Sequence, residues 1–211
     1  KDDAEKVTQV LPYSRNHSED PEDLWRYMKD YQDRFEGDVL AIPHNSNLSR
    51  GEMFSKIRYD GRPIDREYAK TRARWEPLME VTQQKGDSET HPLLSPDDEF
   101  ADFERWNSWA RDAQIERESA VNVTEKKGEY ARSALKTGLQ QQMAFGVNPF
   151  KFGMIGSTDA HTSLSTADDN NYWGKVSKWE PSKDRLMGSA SQEKANLTMG
   201  QRFSASGYAA I

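Results

Sequence analysis

The segment from Lys151 to His161 constrains the fold most, because a short apolar run there ends abruptly in a carboxylate and an imidazole. Met154 and Ile155 are typical of a buried strand. Residues two apart in an extended chain project to the same side, so Asp159 and His161 are predicted to enter one cavity. In α/β enzymes such cavities lie at the carboxyl ends of the strands. An oxygen ligand beside an imidazole suits zinc, manganese or iron, and a structural role for the pair is the alternative.

A second apolar run, from Asp38 to Ile42, is too short for a helix and apolar on both faces. It predicts a parallel strand that is covered on each side. His44 follows directly, so a second imidazole is predicted at the end of a strand. Asn45 and Asn47 can hydrogen bond to an imidazole or to a substrate oxygen. The alternative for His44 is a loop histidine that only satisfies local hydrogen bonds.

A third apolar run, from Trp75 to Thr82, contains Glu80 and predicts another short buried strand. A carboxylate in such a run costs several kcal/mol unless it is paired or bound to metal. Glu80 is therefore expected either near the metal or paired with Arg72 or Arg74.

The polar loop after this strand, from Gln83 to Pro96, carries Lys85, Glu89 and His91 as candidate binding residues. Loops that follow strand ends are where binding groups collect. The alternative is a charged loop that is simply solvated.

Apolar residues at spacings of three and four predict helices between these strands. The alternation of strands and helices indicates a parallel β/α architecture. In the helix predicted from Pro96, the aromatic residues Phe100, Phe103 and Trp106 are assigned to the inner face. The predicted helices run from about Pro21 to Phe35, Arg66 to Trp75, Pro96 to about Arg111, and Tyr130 to Phe145, and Gly37 and Gly146 end the first and the last.

Charge and composition exclude several classes of function. The 211 residues carry a formal charge of −6 and no block of Lys and Arg, which disfavours nucleic acid as a partner. The chain has no cysteine, so any metal must be held by His, Asp, Glu or Asn. No stretch approaches the roughly 20 apolar residues of a membrane span. We expect a periplasmic or secreted location in preference to a cytoplasmic one.

Four stretches of the chain together match a family pattern: His17 to Trp25, Leu40 to Asn47, Glu76 to Gln83 with Lys85 to Glu89, and Asn148 to His161. On these stretches the sequence resembles the bacterial domain-of-unknown-function family 3604, related to the polymerase and histidinol phosphatase (PHP) superfamily. The resemblance implies an α/β fold that is part of a distorted (β/α)7 barrel. It also implies a centre of two or three divalent metal ions and hydrolysis of small phosphate esters.

The same resemblance assigns metal-binding roles to three residues. His44, Asp159 and His161 resemble metal ligands of the barrel strands. Glu80 and Lys85 are expected to act on the substrate in catalysis. Residues expected to bind substrate are Asn45, Asn47, Glu89 and His91.

One departure from the superfamily pattern is large, because its opening His-x-His motif is absent from this sequence. The chain therefore resembles the middle and later part of the domain. We expect residues 1–211 to form a single, incomplete domain that associates with a missing N-terminal segment or forms an oligomer. Residues 1–16 are expected to be irregular, and residues 162–200 to form a long loop excursion.

The leading hypothesis is a metal-dependent hydrolase that attacks a phosphate ester with a metal-activated water. One alternative is an amidohydrolase-like enzyme, although its barrel normally closes with a lone Asp. The other is a non-catalytic barrel remnant that binds a ligand or partner. A serine hydrolase using Ser157 is disfavoured because the Gly-x-Ser-x-Gly elbow is missing.

Overall fold

The computed structural model describes residues 10–35, 37–106, 123–162, 164, 168–176 and 205–211, which form a mixed α/β fold with an open four-stranded sheet. The α-helices are α1 (Pro21–Phe35), α2 (Arg66–Trp75), α3 (Val123–Lys127) and α4 (Ala131–Phe145). The strands are β1 (Leu78–Gln83), β2 (Gly86–Asp87), β3 (Gly153–Ser157) and β4 (Ala209–Ala210). Within the same residues, no helix is long and apolar enough to cross a membrane.

Capping side chains mark the start of two helices, and a glycine marks the end of a third. At the start of α1, the Asp20 side chain accepts a hydrogen bond from the Glu22 N–H at 2.9 Å. Asp65 does the same for the Tyr68 N–H at the start of α2, also at 2.9 Å. Helix α4 ends at Gly146, whose φ of 79° is left-handed and therefore favours glycine. These contacts confirm three of the predicted helices.

The sheet brings the predicted strand ends together. Its strand order is β2-β1-β3-β4, with β1 and β3 parallel and the two short outer strands antiparallel to their neighbours. Met79 pairs with Met154 and Glu80 with Ile155. Because β1 and β3 are parallel, their carboxyl ends meet at one edge of the sheet. This carboxyl edge carries the candidate site.

The strand predicted for residues 38–42 does not form as a regular strand. This segment has no regular secondary structure, and the Ala41 N–H donates to the carbonyl of Trp75, the last residue of α2, at 2.8 Å. The next contact is with β1, where the Glu80 N–H donates to the Pro43 carbonyl at 2.9 Å. Only one of its faces is covered, since Val39 and Ala41 pack on the core while Leu40 and Ile42 are exposed. The prediction of two covered faces is therefore wrong.

Two apolar clusters form the core. The first lies between α1 and α2 and consists of Trp25, Met28, Ile64, Tyr68 and Trp75. The second lies between β1, α4 and the adjoining loops and consists of Phe54, Met79, Ala131, Ala134 and Phe150.

A buried ion pair lies between the two clusters. Arg72 Nε is 2.9 Å from Glu76 Oε2, and the Arg72 guanidinium lies over the Phe150 ring at 4.9 Å from its centroid. The other oxygen of Glu76 accepts a hydrogen bond from Trp25 Nε1 at 3.0 Å. The pair therefore contacts both parts of the core.

The helix predicted from Pro96 to Arg111 is wrong over residues 96–106, which form successive turns, and residues 107–111 lie outside the described residues. Phe100 and Phe103 are 72% and 62% exposed, so the predicted aromatic stripe does not face the core. The Asp98 carboxylate accepts a hydrogen bond from the Phe100 N–H at 3.0 Å and one from Arg132 at 2.6 Å. Such local side-chain bonds compete with the helical pattern. Of the predicted excursion over 162–200, only residues 162, 164 and 168–176 are described.

Candidate functional site

Asp159 is the centre of a compact charged cluster at the carboxyl edge. It follows β3 by two residues and has a left-handed φ of 60°. Its Oδ1 lies 2.8 Å from His161 Nε2, so the predicted pairing of these two side chains is present. Its Oδ2 contacts the ammonium groups of both Lys85 and Lys175. We call Asp159, His161, Lys85 and Lys175 the Asp159 cluster.

Lys175 holds the turn at Asp159 from two directions. Its Nζ donates to the backbone carbonyl of Asp159 at 2.7 Å, and its own carbonyl accepts from the His161 N–H at 2.6 Å. A left-handed conformation is unfavourable for a residue with a Cβ, and these bonds stabilise it here. Sequence reasoning missed Lys175, because it lies in an aperiodic polar segment and no motif marks it.

Glu80 belongs to a neighbouring hydrogen-bond network. Ser157 Oγ donates to Glu80 Oε1 at 2.6 Å, and Gln83 Nε2 donates to Glu80 Oε2 at 3.2 Å and to Asn45 Oδ1 at 2.9 Å. The backbone N–H of Lys85 donates to Gln83 Oε1 at 2.9 Å, which connects this network to the Asp159 cluster. Two environments were expected for Glu80. The pairing with Arg72 or Arg74 does not occur, and Glu80 instead lies next to the Asp159 cluster with Ser157 and Gln83 as its partners.

Electrostatics keep the Asp159 carboxyl ionised. Burial raises its pKa, but hydrogen bonds from Lys175, Lys85 and His161 outweigh burial and hold the pKa well below its usual range. Burial lowers the pKa of Lys175, and the contact with Asp159 opposes that shift. The cluster therefore offers an ionised oxygen ligand beside an imidazole.

Asp159 and His161 have side chains of the types that bind divalent metal ions. In this structure Oδ1 of Asp159 and Nε2 of His161 are 2.8 Å apart, the distance of a direct hydrogen bond between them. A third ligand is not supplied by the described residues, in which no group of three His, Asp or Glu side chains is placed to hold a metal ion. The side chain of His44 is exposed and is not grouped with this pair.

Other predicted binding residues are engaged in contacts that hold the loops. Asn47 is buried, and its Nδ2 donates to the carbonyls of Lys85 and Trp106, each at 3.1 Å. Glu89 is paired with Arg132 at 2.7 Å. Their roles in substrate binding stay predictions.

His91 is buried beside Tyr130, with 5.6 Å between the ring centroids, and its Nδ1 accepts a hydrogen bond from the Leu93 N–H at 3.1 Å. Burial, with the nearby charges of Lys126 and Arg105, lowers the pKa of His91 to about 4. The His91 ring is therefore uncharged at pH 7 and packs against Tyr130. Its predicted role in substrate binding also stays untested.

These features define an α/β protein with a charged site at the carboxyl edge of its parallel strands. A family model described as "Protein of unknown function (DUF3604)" matches residues 1–211, so the chain belongs to this family. The family assignment made from the sequence is thereby confirmed. No curated protein and no solved structure matches the chain significantly.

Proposed function

We propose that this chain is part of a metal-dependent hydrolase that acts on phosphate esters. The observation that carries the proposal is the convergence of Asp159 Oδ1 and His161 Nε2 to 2.8 Å at the carboxyl edge of two parallel strands. Asp159 and His161 would hold the ion, and His44 or a residue outside the described parts would complete its ligands. The proposal includes the relationship to the PHP superfamily and its (β/α)7 barrel.

The chain's own residues have distinct tasks in this proposal. A bound divalent ion would supply a water of lowered pKa as nucleophile. Lys85 and Lys175 balance negative charge on the substrate, since ammonium groups bind phosphate as point charges. Glu80 fixes the Ser157 hydroxyl at the end of β3 and so maintains the shape of the turn that carries Asp159.

A non-catalytic binding role is the second candidate. The observation that favours it is the contact of Asp159 Oδ2 with two ammonium groups, which already compensate the carboxylate charge. Both roles predict a ligand at the same edge of the sheet. They differ in turnover.

The test measures metal content of the purified protein by mass spectrometry and binding of Mn²⁺ and Zn²⁺ by calorimetry. Asp159→Asn and His161→Ala should each reduce bound metal while the helical circular dichroism stays nearly unchanged. Matched controls are Asp33→Asn and His17→Ala, which change exposed residues. Full metal retention in both site variants would refute the metal site.

Turnover distinguishes the two candidates. Chromogenic phosphate esters should be hydrolysed after Mn²⁺ or Zn²⁺ is added, and a chromogenic anilide should not. Hydrolysis of the anilide alone would favour amidohydrolase-like chemistry. Metal binding without turnover of any substrate would favour the non-catalytic role.

A further inference from the structure

A cavity lies beside α4, apart from the Asp159 cluster. Its volume is about 920 Å³, within the range of roughly 300–1,000 Å³ that is typical of small-molecule sites. Its walls come from the loop over residues 50–57, from α3 and from one face of α4. No member of the Asp159 cluster is among the described residues that line it. We call it the α4 cavity.

The wall that α4 contributes is polar. Ser133, Thr137 and Gln140 follow one another at spacings of four and three, so they lie on one face of the helix. A different face, which carries Ala131 and Ala134, is buried in the core. The polar face therefore presents two hydroxyl groups and an amide to the cavity.

The loop that forms the opposite wall is held in position. The Phe54 N–H donates to the Gly128 carbonyl at 2.9 Å, and a Cβ at Gly128 would overlap the Gly51 carbonyl oxygen. Only glycine allows so close an approach of the two backbones. Lys56 Nζ donates to Gln140 Oε1 at 3.0 Å, which joins the loop to α4. The fold therefore forms the cavity in advance of any ligand.

Arg50 lies in this wall with an unfavourable backbone conformation. Its φ of 54° is left-handed, although the residue has a Cβ. The buried carboxylate of Glu129 accepts a hydrogen bond from the Arg50 backbone N–H and contacts Lys126 Nζ at 2.8 Å. Backbone of this kind persists where the surroundings hold it, and it clusters at ligand sites.

Positive charge predominates around the α4 cavity. Four cationic side chains, Arg50, Lys56, Lys127 and Lys136, line it, and the one carboxylate among the described lining residues is that of Glu125. Lys56 donates to a neutral amide. In the described parts of the chain, the other three cations form no ion pair. Charge complementarity therefore favours an anionic ligand.

The cavity also has apolar surface. Ile57, Leu93 and Val123 line it and are 50%, 48% and 44% exposed. Phe54, which belongs to the second core cluster, lines it as well. Exposed apolar side chains that gather in a concave site mark a ligand groove. A small inorganic anion would leave this surface in water, so the matching ligand has an apolar part.

We propose that the α4 cavity binds a small organic molecule with an apolar body and at least two anionic groups. Two anionic groups match a wall in which four cations face one described carboxylate. The apolar body covers the exposed aliphatic side chains, and the polar face of α4 binds the remaining polar atoms of the ligand. The site shares no described residue with the Asp159 cluster, so it is independent of the proposed hydrolase function.

The first experiment varies the charge of the ligand at constant shape. The probes are 1,5-naphthalenedisulfonate, 1-naphthalenesulfonate and 1-naphthalenemethanol, which share one ring system and have two, one and no negative charges. Equilibrium dialysis against the full chain measures their affinities. Each sulfonate should tighten binding by about fivefold, the effect of one exposed ion pair. Added salt should weaken binding of the disulfonate and leave the alcohol unchanged.

The second experiment varies the walls of the cavity. Lys127→Met and Lys136→Met should each weaken disulfonate binding by about fivefold and leave the alcohol unchanged. The matched control is Lys151→Met, because Lys151 is exposed and does not line the cavity. Leu93→Ser should weaken all three probes by a similar factor, since it removes an apolar contact with the shared ring. Circular dichroism and the melting temperature show whether each variant is folded.

A third measurement locates the site without relying on those variants. An amine-reactive reagent labels the wild-type lysines, and mass spectrometry compares each lysine with and without the disulfonate. The disulfonate should slow labelling of Lys127 and Lys136 and leave Lys151 unchanged. Asp159→Asn should bind the disulfonate as the wild type does, because it changes the other site.

The results decide the inference as follows. Affinity that rises with probe charge, together with protection of Lys127 and Lys136, supports it. It is overturned if none of the probes binds, if the three bind equally, or if labelling of both lysines is unchanged. Loss of disulfonate binding in Asp159→Asn would assign the anion to the Asp159 cluster and also overturn it.

Discussion

Two ion clusters in this molecule differ in the basic side chains that surround their carboxylate and in how deeply the fold encloses them. In the core, Arg72 faces Glu76 one to one, and the pair is surrounded by aromatic rings. At the carboxyl edge, Asp159 faces two lysines and a histidine, and its backbone is left-handed. In the first cluster one carboxylate faces one guanidinium, whereas in the second one carboxylate contacts two ammonium groups.

The difference indicates where the fold keeps its stability and where it accommodates a ligand. Arg72 Nη2 also donates to the Met53 carbonyl at 2.6 Å, so the guanidinium connects a loop, α2 and the core. A left-handed backbone at a residue other than glycine is unfavourable, and such positions cluster at binding and active sites. We therefore expect substitutions in the core pair to affect unfolding and substitutions in the Asp159 cluster to affect binding.

The largest effect on stability is expected for Arg72→Met. Removing one partner of a buried ion pair leaves Glu76 uncompensated, so the free energy of unfolding should fall by about 3–5 kcal/mol. Urea denaturation measures this change. Arg74→Met is the control, because Arg74 is exposed and its guanidinium donates to Gln32. An equal fall in the free energy of unfolding in Arg72→Met and Arg74→Met would show that the buried pair contributes no more than an exposed arginine.

Asp159→Asn should affect metal binding more than it affects the free energy of unfolding. Under the proposed function, Mn²⁺ affinity should fall by at least about a hundredfold, because loss of a direct ligand exceeds the 10- to 100-fold effect of losing a supporting hydrogen bond. Stability should fall less than in Arg72→Met, since asparagine tolerates the left-handed backbone. Calorimetry and urea denaturation on the same sample test both statements. A stability loss as large as that of Arg72→Met would remove the contrast between the clusters.

His91 provides a third case, a buried ring that stays neutral. Its pKa is about 4 in the folded chain and about 6.5 when unfolded, so between these values the unfolded state binds more protons. Its contribution to stability therefore falls as pH falls from about 6.5 to 4, by up to about 1.4 kcal/mol per pH unit. Subtracting the pH profile of His91→Phe from that of the wild type should isolate this slope. A similar difference for exposed His17→Phe would contradict the assignment.

The smallest effect is expected for Glu80→Gln. Glutamine keeps one oxygen for the Ser157 hydroxyl but replaces the other, which accepts from Gln83, with an amide nitrogen. Losing one hydrogen bond to a charged group costs about 1.5–3 kcal/mol at most, and partial exposure brings the expected loss to about 1 kcal/mol. Thermal unfolding measures it, and Glu67→Gln on the exposed face of α2 is the control. A loss of stability as large as that of Arg72→Met would show that Glu80 stabilises the fold as much as the buried core pair does.

Local patterns in the sequence determined α1, α2, α4 and the two parallel strands. Apolar spacing, the side chain at Asp65 and the glycine at 146 are sufficient for α2 and α4, because each acts within a few residues. The spacing of two between Asp159 and His161 predicted that their side chains meet, and they do. The extended backbone assumed for that prediction is absent, however, because Asp159 is left-handed and Lys175 holds the turn. The four matching stretches were also enough to assign the family.

Tertiary structure alone decided what surrounds these elements. The sequence does not reveal that Arg72 pairs with Glu76 while Glu80 binds Ser157, because every one of these side chains had more than one candidate partner. Turns occupy residues 96–106 in place of the predicted helix, and Asp98 there accepts a hydrogen bond from Arg132, which lies 34 residues further along the chain. Lys175 joins Asp159 only through the path of a loop without periodicity. Periodicity reports the nearest neighbours along a helix or strand, whereas charge pairing depends on which distant segments the fold brings within reach.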